Sequence, residues 1–239
     1  MLEKIKDFQT LIVGIIVVLG ILIGAKLITT AMSQNVITVT GSAYEIVKSD
    51  SGTLEFDINV KKPTKQEAYK VMQQQLETVK AYLNNKNIKE IETKALNGYY
   101  SYKRNINGYD TGIVDYYSMS QPVKINADNV ELIKEISTDI SSLVNEGLDI
   151  TVYNPSYNYS KLGDLKVSLL EKASVDAKNR AIAMLKPTHN NISKISSVRM
   201  GVYQITPVDS TDVSDGGIND TSSIMKKVTA VANVSFRIK

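Results

Sequence analysis

The 239-residue chain contains no cysteine and one histidine, His189. Without thiols it can form neither a disulfide nor a thiolate metal site. A lone imidazole excludes two-histidine zinc sites and the HExxH helix. Charge of one sign is missing as well: 28 Lys and Arg stand against 25 Asp and Glu, with no basic block. Nucleic acid therefore has no electrostatic footprint to recognise. Neither common glycine-rich phosphate loop is present. A chain of this length can bury a real core, and here packing alone must hold it.

The usual catalytic arrangements are sparse. His189 follows Pro187 and precedes Asn190-Asn191, which reads as a surface turn. Ser223-Ile-Met-Lys226 has Ser-x-x-Lys spacing, but it leads into a strand and its companion motifs are missing. Asp209, Asp212 and Asp215 recur every three residues before Gly216-Gly217. A calcium loop needs alternating ligands and a late glutamate, so segment 206–223 reads as a long loop, solvated or docked. The expectation is a non-enzyme with no catalytic residue, metal ligand or cofactor.

What the chain does have begins with residues 11–25, fifteen apolar positions in a row. Counting from Phe8 to Ile28, with Lys26 snorkelling, gives about 20 residues, enough to cross a bilayer. Thr29-Thr30-Ala31 imitates a signal-peptidase site poorly. The expected organisation is a cytoplasmic tail at 1–9, an uncleaved transmembrane signal anchor at 10–32 and an extracytoplasmic domain at 33–239. That makes the protein single-pass in the cell membrane, with its body periplasmic or at the cell surface. Gly20 and Gly24 form a small-xxx-small pair for helix packing within the anchor.

The body alternates strand and helix patterns. Residues 36–41 read as a short strand and 52–61 as a strand with Leu54, Phe56, Ile58 and Val60 on its buried face; the turn chemistry of 47–51 predicts a hairpin between them. Thr64 and Glu67 form a capping box before a helix whose apolar face is Ala68, Met72, Leu76, Val79 and Leu83. A short strand follows in 86–94. Segment 97–121 is tyrosine-rich, with Tyr99, Tyr100 and Tyr102 before Asn107-Gly108 and Tyr109, Tyr116 and Tyr117 after it. Asn-Gly between β-rich runs signals a hairpin, and tyrosines on paired strands support one another across the ladder. The same rings also offer a subunit interface or a ligand platform.

Asn129 or Asp128 caps the next helix, with Leu132, Ile133, Ile136, Ile140 and Leu143 inward and Gly147 as its stop. A strand follows at 148–153. In 157–185 Leu165, Leu169, Ala173, Ala177, Ala181 and Leu185 step by four and share one helical stripe, with Asp164 as cap and Pro187 as terminator. Alanines at its centre allow close approach to a neighbour. A strand over 192–205, with Val198, Met200 and Val202 on one side, and a last strand through Phe236 complete the chain. The pattern predicts an α+β fold, a mainly antiparallel sheet with helices packed on one face, preceded by one N-terminal transmembrane helix.

Taken together, Val39-Thr40-Gly41, the strand at 54–60, the alanine-studded helix, Tyr157-x-Tyr159-Ser160-Lys161-Leu162-x-Asp164-Leu165-Lys166, Gly201-Val-Tyr-Gln-Ile205 and Lys226-Lys-Val-Thr-Ala resemble the SIMPL domain of bacterial envelope proteins, in its membrane-anchored branch. The resemblance implies an extracytoplasmic α+β domain without an established catalytic centre. It also implies self-assembly, as some relatives look like rings or barrels, and an envelope or stress-related role. Tyr157, Tyr159, Lys161, Asp164 and Lys166 carry the motif without an assigned role. The expected partners are the membrane, further copies of the chain in a homo-oligomer, and a cell-wall or envelope component; the alternative reading is a glycan or small-ligand module built on the tyrosine hairpin.

Overall fold

The elements of the computed structural model run, in chain order, α1 (Leu2–Met32), β1 (Val36–Lys48), β2 (Ser51–Lys62), α2 (Lys65–Asn85), β3 (Glu90–Thr93), β4 (Asn97–Arg104), β5 (Asp110–Ala127), α3 (Val130–Asp139), β6 (Asp149–Val152), β7 (Ser156–Asn158), α4 (Leu162–Leu185), β8 (Ile192–Met200), β9 (Gln204–Pro207), β10 (Ile218–Asn219) and β11 (Met225–Ile238). Residues 2–32 and 35–239 are described, and within α1 the side chains of 13–27 and 29. The fold is α+β, with two sheets: β1-β11-β9-β10 with β8 also on β11, and β3-β5-β2-β6 with β4 on β5 and β7 on β2.

The chain divides into two compact units, one of Met1–Ala43, Leu170–Gly201 and Val231–Lys239, the other of Tyr44–Leu169 and Val202–Ala230. The second is organised on β2 and β5, paired antiparallel from Gly52↔Ala127 to Lys62↔Tyr117. The alternation read in β2 places Leu54, Phe56 and Ile58 fully inside. Against them lie Ala68, Met72, Leu76, Val79 and Leu83 of α2, and Ile133 and Ile136 of α3 with Ile140 just beyond it. Thr64 caps α2, accepting from the Glu67 amide at 3.2 Å while its hydroxyl donates to the Glu67 carboxylate at 3.0 Å. Asn129 caps α3. A 3-10 turn over Ile140–Glu146 follows, closed by Gly147 at φ 85°.

In the first unit the outer half of α4 lies on strand backbone. Ala173, Ala177 and Ala181 are wholly buried. A Cβ added at Gly41 would stand 2.7 Å from the Ala177 Cβ and closer still to the Ala173 carbonyl oxygen and the Ala177 nitrogen. Glycine and alanine there bring two backbones into contact. The Asp176 carboxylate fastens the join, accepting from the Ser42 amide at 2.8 Å and from Arg180 Nε at 2.7 Å. The Ser42 amide, partly offset by burial, and Arg180 together hold the Asp176 carboxyl below its ordinary value.

Several expectations are corrected. β1 and β2 do not form a hairpin; they belong to different sheets. The two residues between them are held by distant partners: the Ser49 amide donates to the Ile224 carbonyl and the Asp50 amide to the Asn158 carbonyl. Asp164 is not a cap, because α4 starts at Leu162 and places it in the first turn, where its charge suits the helix N-terminus. The 192–205 strand is two strands, β8 and β9, parted where the Gly201 amide donates to the Val231 carbonyl. Of its apolar residues, Ile195, Val198 and Met200 in β8 are 60, 53 and 60% exposed, whereas Ile205 in β9 is buried.

α1 is helical, and among the described residues nothing lies within 4 Å of a Cβ placed at Gly20 or Gly24. Among the described residues no helix is long and apolar enough to cross a membrane. The consecutive side chains described in α1 are 13–27, fewer than the roughly 20 that a crossing takes. The side chains of residues 8–12 and 28 in the expected span, those of Thr30 and Ala31, and the domain boundary after residue 32 lie outside the described residues.

Candidate functional site

The β4–β5 hairpin turns through 105–109, where the Asn105 side-chain oxygen accepts from the amides of Asn107 and Tyr109, both at 3.0 Å, and Gly108 takes φ 81°. Pairing sets Tyr100 opposite Tyr117, Tyr99 opposite Ser118 and Ser101 opposite Tyr116. Tyr100 meets Tyr117 with ring centroids 6.1 Å apart and Tyr102 edge-on at 5.2 Å. The Tyr102 hydroxyl donates to that of Tyr100 at 3.5 Å, and this bond raises the pKa of Tyr102. Tyr116 sits under the Lys61 ammonium, 5.7 Å from its ring centre.

Where this hairpin runs past the core, an open groove of about 1230 Å³ separates it from the start of α2. Tyr99, Tyr100 and Tyr117 line it from the hairpin, and Lys65, Gln66 and Tyr69 from the helix. Tyr102, Tyr109 and Tyr116 do not line it. The six sequence candidates therefore split, and Tyr69 joins from outside the tyrosine-rich segment. Tyr69 neighbours the buried Ala68 yet is 52% exposed, so the helical stripe that found the core passed over it.

The Tyr157–Lys166 motif forms a second cluster. Tyr157 is buried, and its amide donates to the Thr221 carbonyl at 2.7 Å. Ser160 donates to the Asp50 carboxylate twice, from its amide at 2.8 Å and its hydroxyl at 2.6 Å. The Ser160 hydroxyl bond is the main reason the Asp50 carboxyl lies below its ordinary value. The Lys166 carbonyl accepts from the Tyr203 hydroxyl at 2.9 Å, and the Lys166 ammonium stands 5.2 Å from the centre of that ring. Tyr159 is half-buried, while Lys161 is exposed. These contacts tie the entry of α4 to the 49–50 link and to the Tyr203 segment.

The acidic loop is docked. Lys227 Nζ donates to the Ser210 carbonyl and Gln204 Nε2 to the Ser214 carbonyl, each at 2.6 Å. Asp212 accepts from the Ser210 hydroxyl at 3.0 Å. Among the described residues no group of three or more His, Asp or Glu could hold a metal ion. Lys226 of the Ser-x-x-Lys sequence is 3% exposed, with its ammonium 2.7 Å from the Asp220 carbonyl and 3.7 Å from the Asp220 carboxylate. Burial lowers the Lys226 pKa against the pull of Asp220. Burial would raise that of Asp220, but hydrogen bonds from Ser222 and Ser223 and the Lys226 charge hold it low. His189 occupies an exposed left-handed turn at φ 58°.

Comparison with protein-family models matches residues 37–236 to SIMPL, described as a protein of unknown function (DUF541). No curated protein matches the chain.

Proposed function

The chain belongs to the SIMPL family, and on that premise we propose that it is a non-catalytic envelope protein that acts by association. α1 anchors it in the membrane with the body outside the cytoplasm, and copies join through the free edge of β8 into a ring or cage-like oligomer. The observation that carries this reading is the apolar row on that edge. Among the described residues β8 pairs with β11 alone. Ile195, Val198 and Met200 stand largely in water. Val175 of α4, 58% exposed, lines a groove of about 230 Å³ with Ile195, Val198, Val234 and Phe236. An unpaired strand edge beside exposed apolar side chains is a template for a further strand, and contiguous apolar surface of this kind marks interaction sites. Gly20 and Gly24 give α1 a small-residue strip for a second anchor helix.

The non-catalytic part rests on the commitment of the reactive groups. The Lys226 ammonium is engaged by Asp220, and His189 lies in a surface turn. The resemblance of sequence motifs to the anchored branch, together with the apolar run at 11–25, supports the membrane placement.

Light scattering of the full-length chain in detergent is expected to give a discrete oligomer at micromolar concentration, dissociated by Val198→Lys. A strict monomer overturns the assembly. Protease added to spheroplasts is expected to remove the body, and a body that stays protected in the cytosol, with no lipid attachment, overturns the placement.

A further inference from the structure

The groove beside α2 is not needed for association through β8, and its lining is unlike that edge. Its volume of about 1230 Å³ exceeds the roughly 300–1,000 Å³ of ordinary small-molecule pockets. It opens to solvent, so a segment of a longer chain can enter it without being enclosed. Rings come from both walls, Tyr69 from α2 and Tyr100 and Tyr117 from the hairpin. Tyr69 and Tyr100 are each about half exposed. Cross-strand support accounts for the contact of Tyr100 with Tyr117, but not for the ring surface that both tyrosines leave in water.

Polar groups stand around those rings. The Gln66 amide and Lys65 ammonium are exposed at the helix side, and among the described residues no carboxylate lines the groove. The lining therefore repels cations and offers both donors and acceptors to a neutral or acidic polymer. Tyr100 is already braced by Tyr102 and Tyr117, so little side-chain freedom remains to be lost on binding.

We propose that this groove binds an extended glycan of β-1,4-linked pyranoses. Such a chain is a flat ribbon with C–H patches on both faces and hydroxyls at its edges. The C–H faces lie against tyrosine rings of the two walls, and the hydroxyls meet Gln66, Lys65 and the tyrosine hydroxyls. A polyproline helix also docks on aromatic grooves. It presents carbonyl acceptors and no backbone donors, which leaves the acceptor side of this rim unmatched.

The test uses the full-length chain in a detergent without sugar headgroups. Calorimetric titration with a hexamer of β-1,4-linked N-acetylglucosamine and with cellohexaose is expected to show binding of at least one. Tyr100→Ser and Tyr69→Ser should each weaken it about tenfold or more, the scale of truncating a tyrosine that anchors a binding surface. Tyr109→Ser, at the hairpin tip outside the groove, should change it less than about twofold. Melting curves identify any variant that fails to fold; Tyr69→Ser, on an exposed helix position, then decides. The proposal is overturned if neither hexamer binds at millimolar concentration, if binding survives both groove substitutions, or if a proline decamer is bound and the sugars are not.

Discussion

The two units solve one problem, a helix against a sheet, with opposite materials. In the second unit Phe56, Leu54 and Ile58 interdigitate with Met72, Leu83 and Ile133, large side chains filling the space between elements. In the first, Gly41 and the alanines of α4 remove the side chains and let backbones touch. A core of large side chains loses much when one is removed but yields when one is slightly enlarged. A join of backbone on backbone has nothing to remove and nowhere to yield. In the first unit Ile195, Val198 and Met200 also remain in water.

Substitutions can break that contrast. Phe56→Ala should destabilise the second unit by about 4 kcal/mol, the usual cost of emptying a buried aromatic site. Hydrogen exchange resolves the units separately, and retained protection in β2 and β5 would contradict it. Gly41→Ala should cost the first unit about 3 kcal/mol through overpacking, because its new methyl meets main chain on two sides. A normal melting curve for that variant would mean that α4 can move away.

Gly52→Ala sharpens the comparison. Its Cβ would stand 3.1 Å from the Ile133 side chain. That contact is with a side chain and is tight by only a few tenths of an ångström, so a small shift of α3 relieves it and the expected loss is about 1 kcal/mol. If Gly52→Ala proves as damaging as Gly41→Ala, the distinction between side-chain and backbone contact fails.

The smallest effect is that of acid. Asp176 in the first unit and Asp50 in the second both have pKa values below the ordinary 3.8 in the folded chain. A carboxyl of this kind contributes stability that is complete above its unfolded pKa and disappears as pH falls through the folded value. Both groups are half-buried, and the solvent that still reaches them screens part of the contribution. Asp50→Asn and Asp176→Asn should each flatten the loss of stability below about pH 4, in its own unit. An unchanged acid limb in both variants would remove these carboxylates from the account.

Periodicity made much of this fold readable. The alternation in β2, the apolar faces of α2 and α3, the Thr64 and Asn129 caps and the alanine stripe of α4 are local patterns, and the buried residues follow them. The failures came where a local pattern has no local partner. Val47-Lys-Ser-Asp-Ser51 carries turn chemistry, yet the Ser49 and Asp50 amides find carbonyls at Ile224 and Asn158. Val198 and Met200 alternate as a buried strand should, and burial depends on what covers them. The groove was half legible: its hairpin tyrosines stood out by composition, whereas Tyr69 was hidden beside a core alanine on another element.

Sequence alone determined the α+β class, the family, the inward face of each helix and the absence of thiol chemistry, because these follow from periods, caps and residue types that act over a few positions. Tertiary structure alone decided that β1 leaves β2 for another sheet, that Gly41 must lack a side chain, and which tyrosines share a groove. Those outcomes depend on hydrogen-bond partners and surfaces brought together from distant parts of the chain, and no neighbouring residue encodes them.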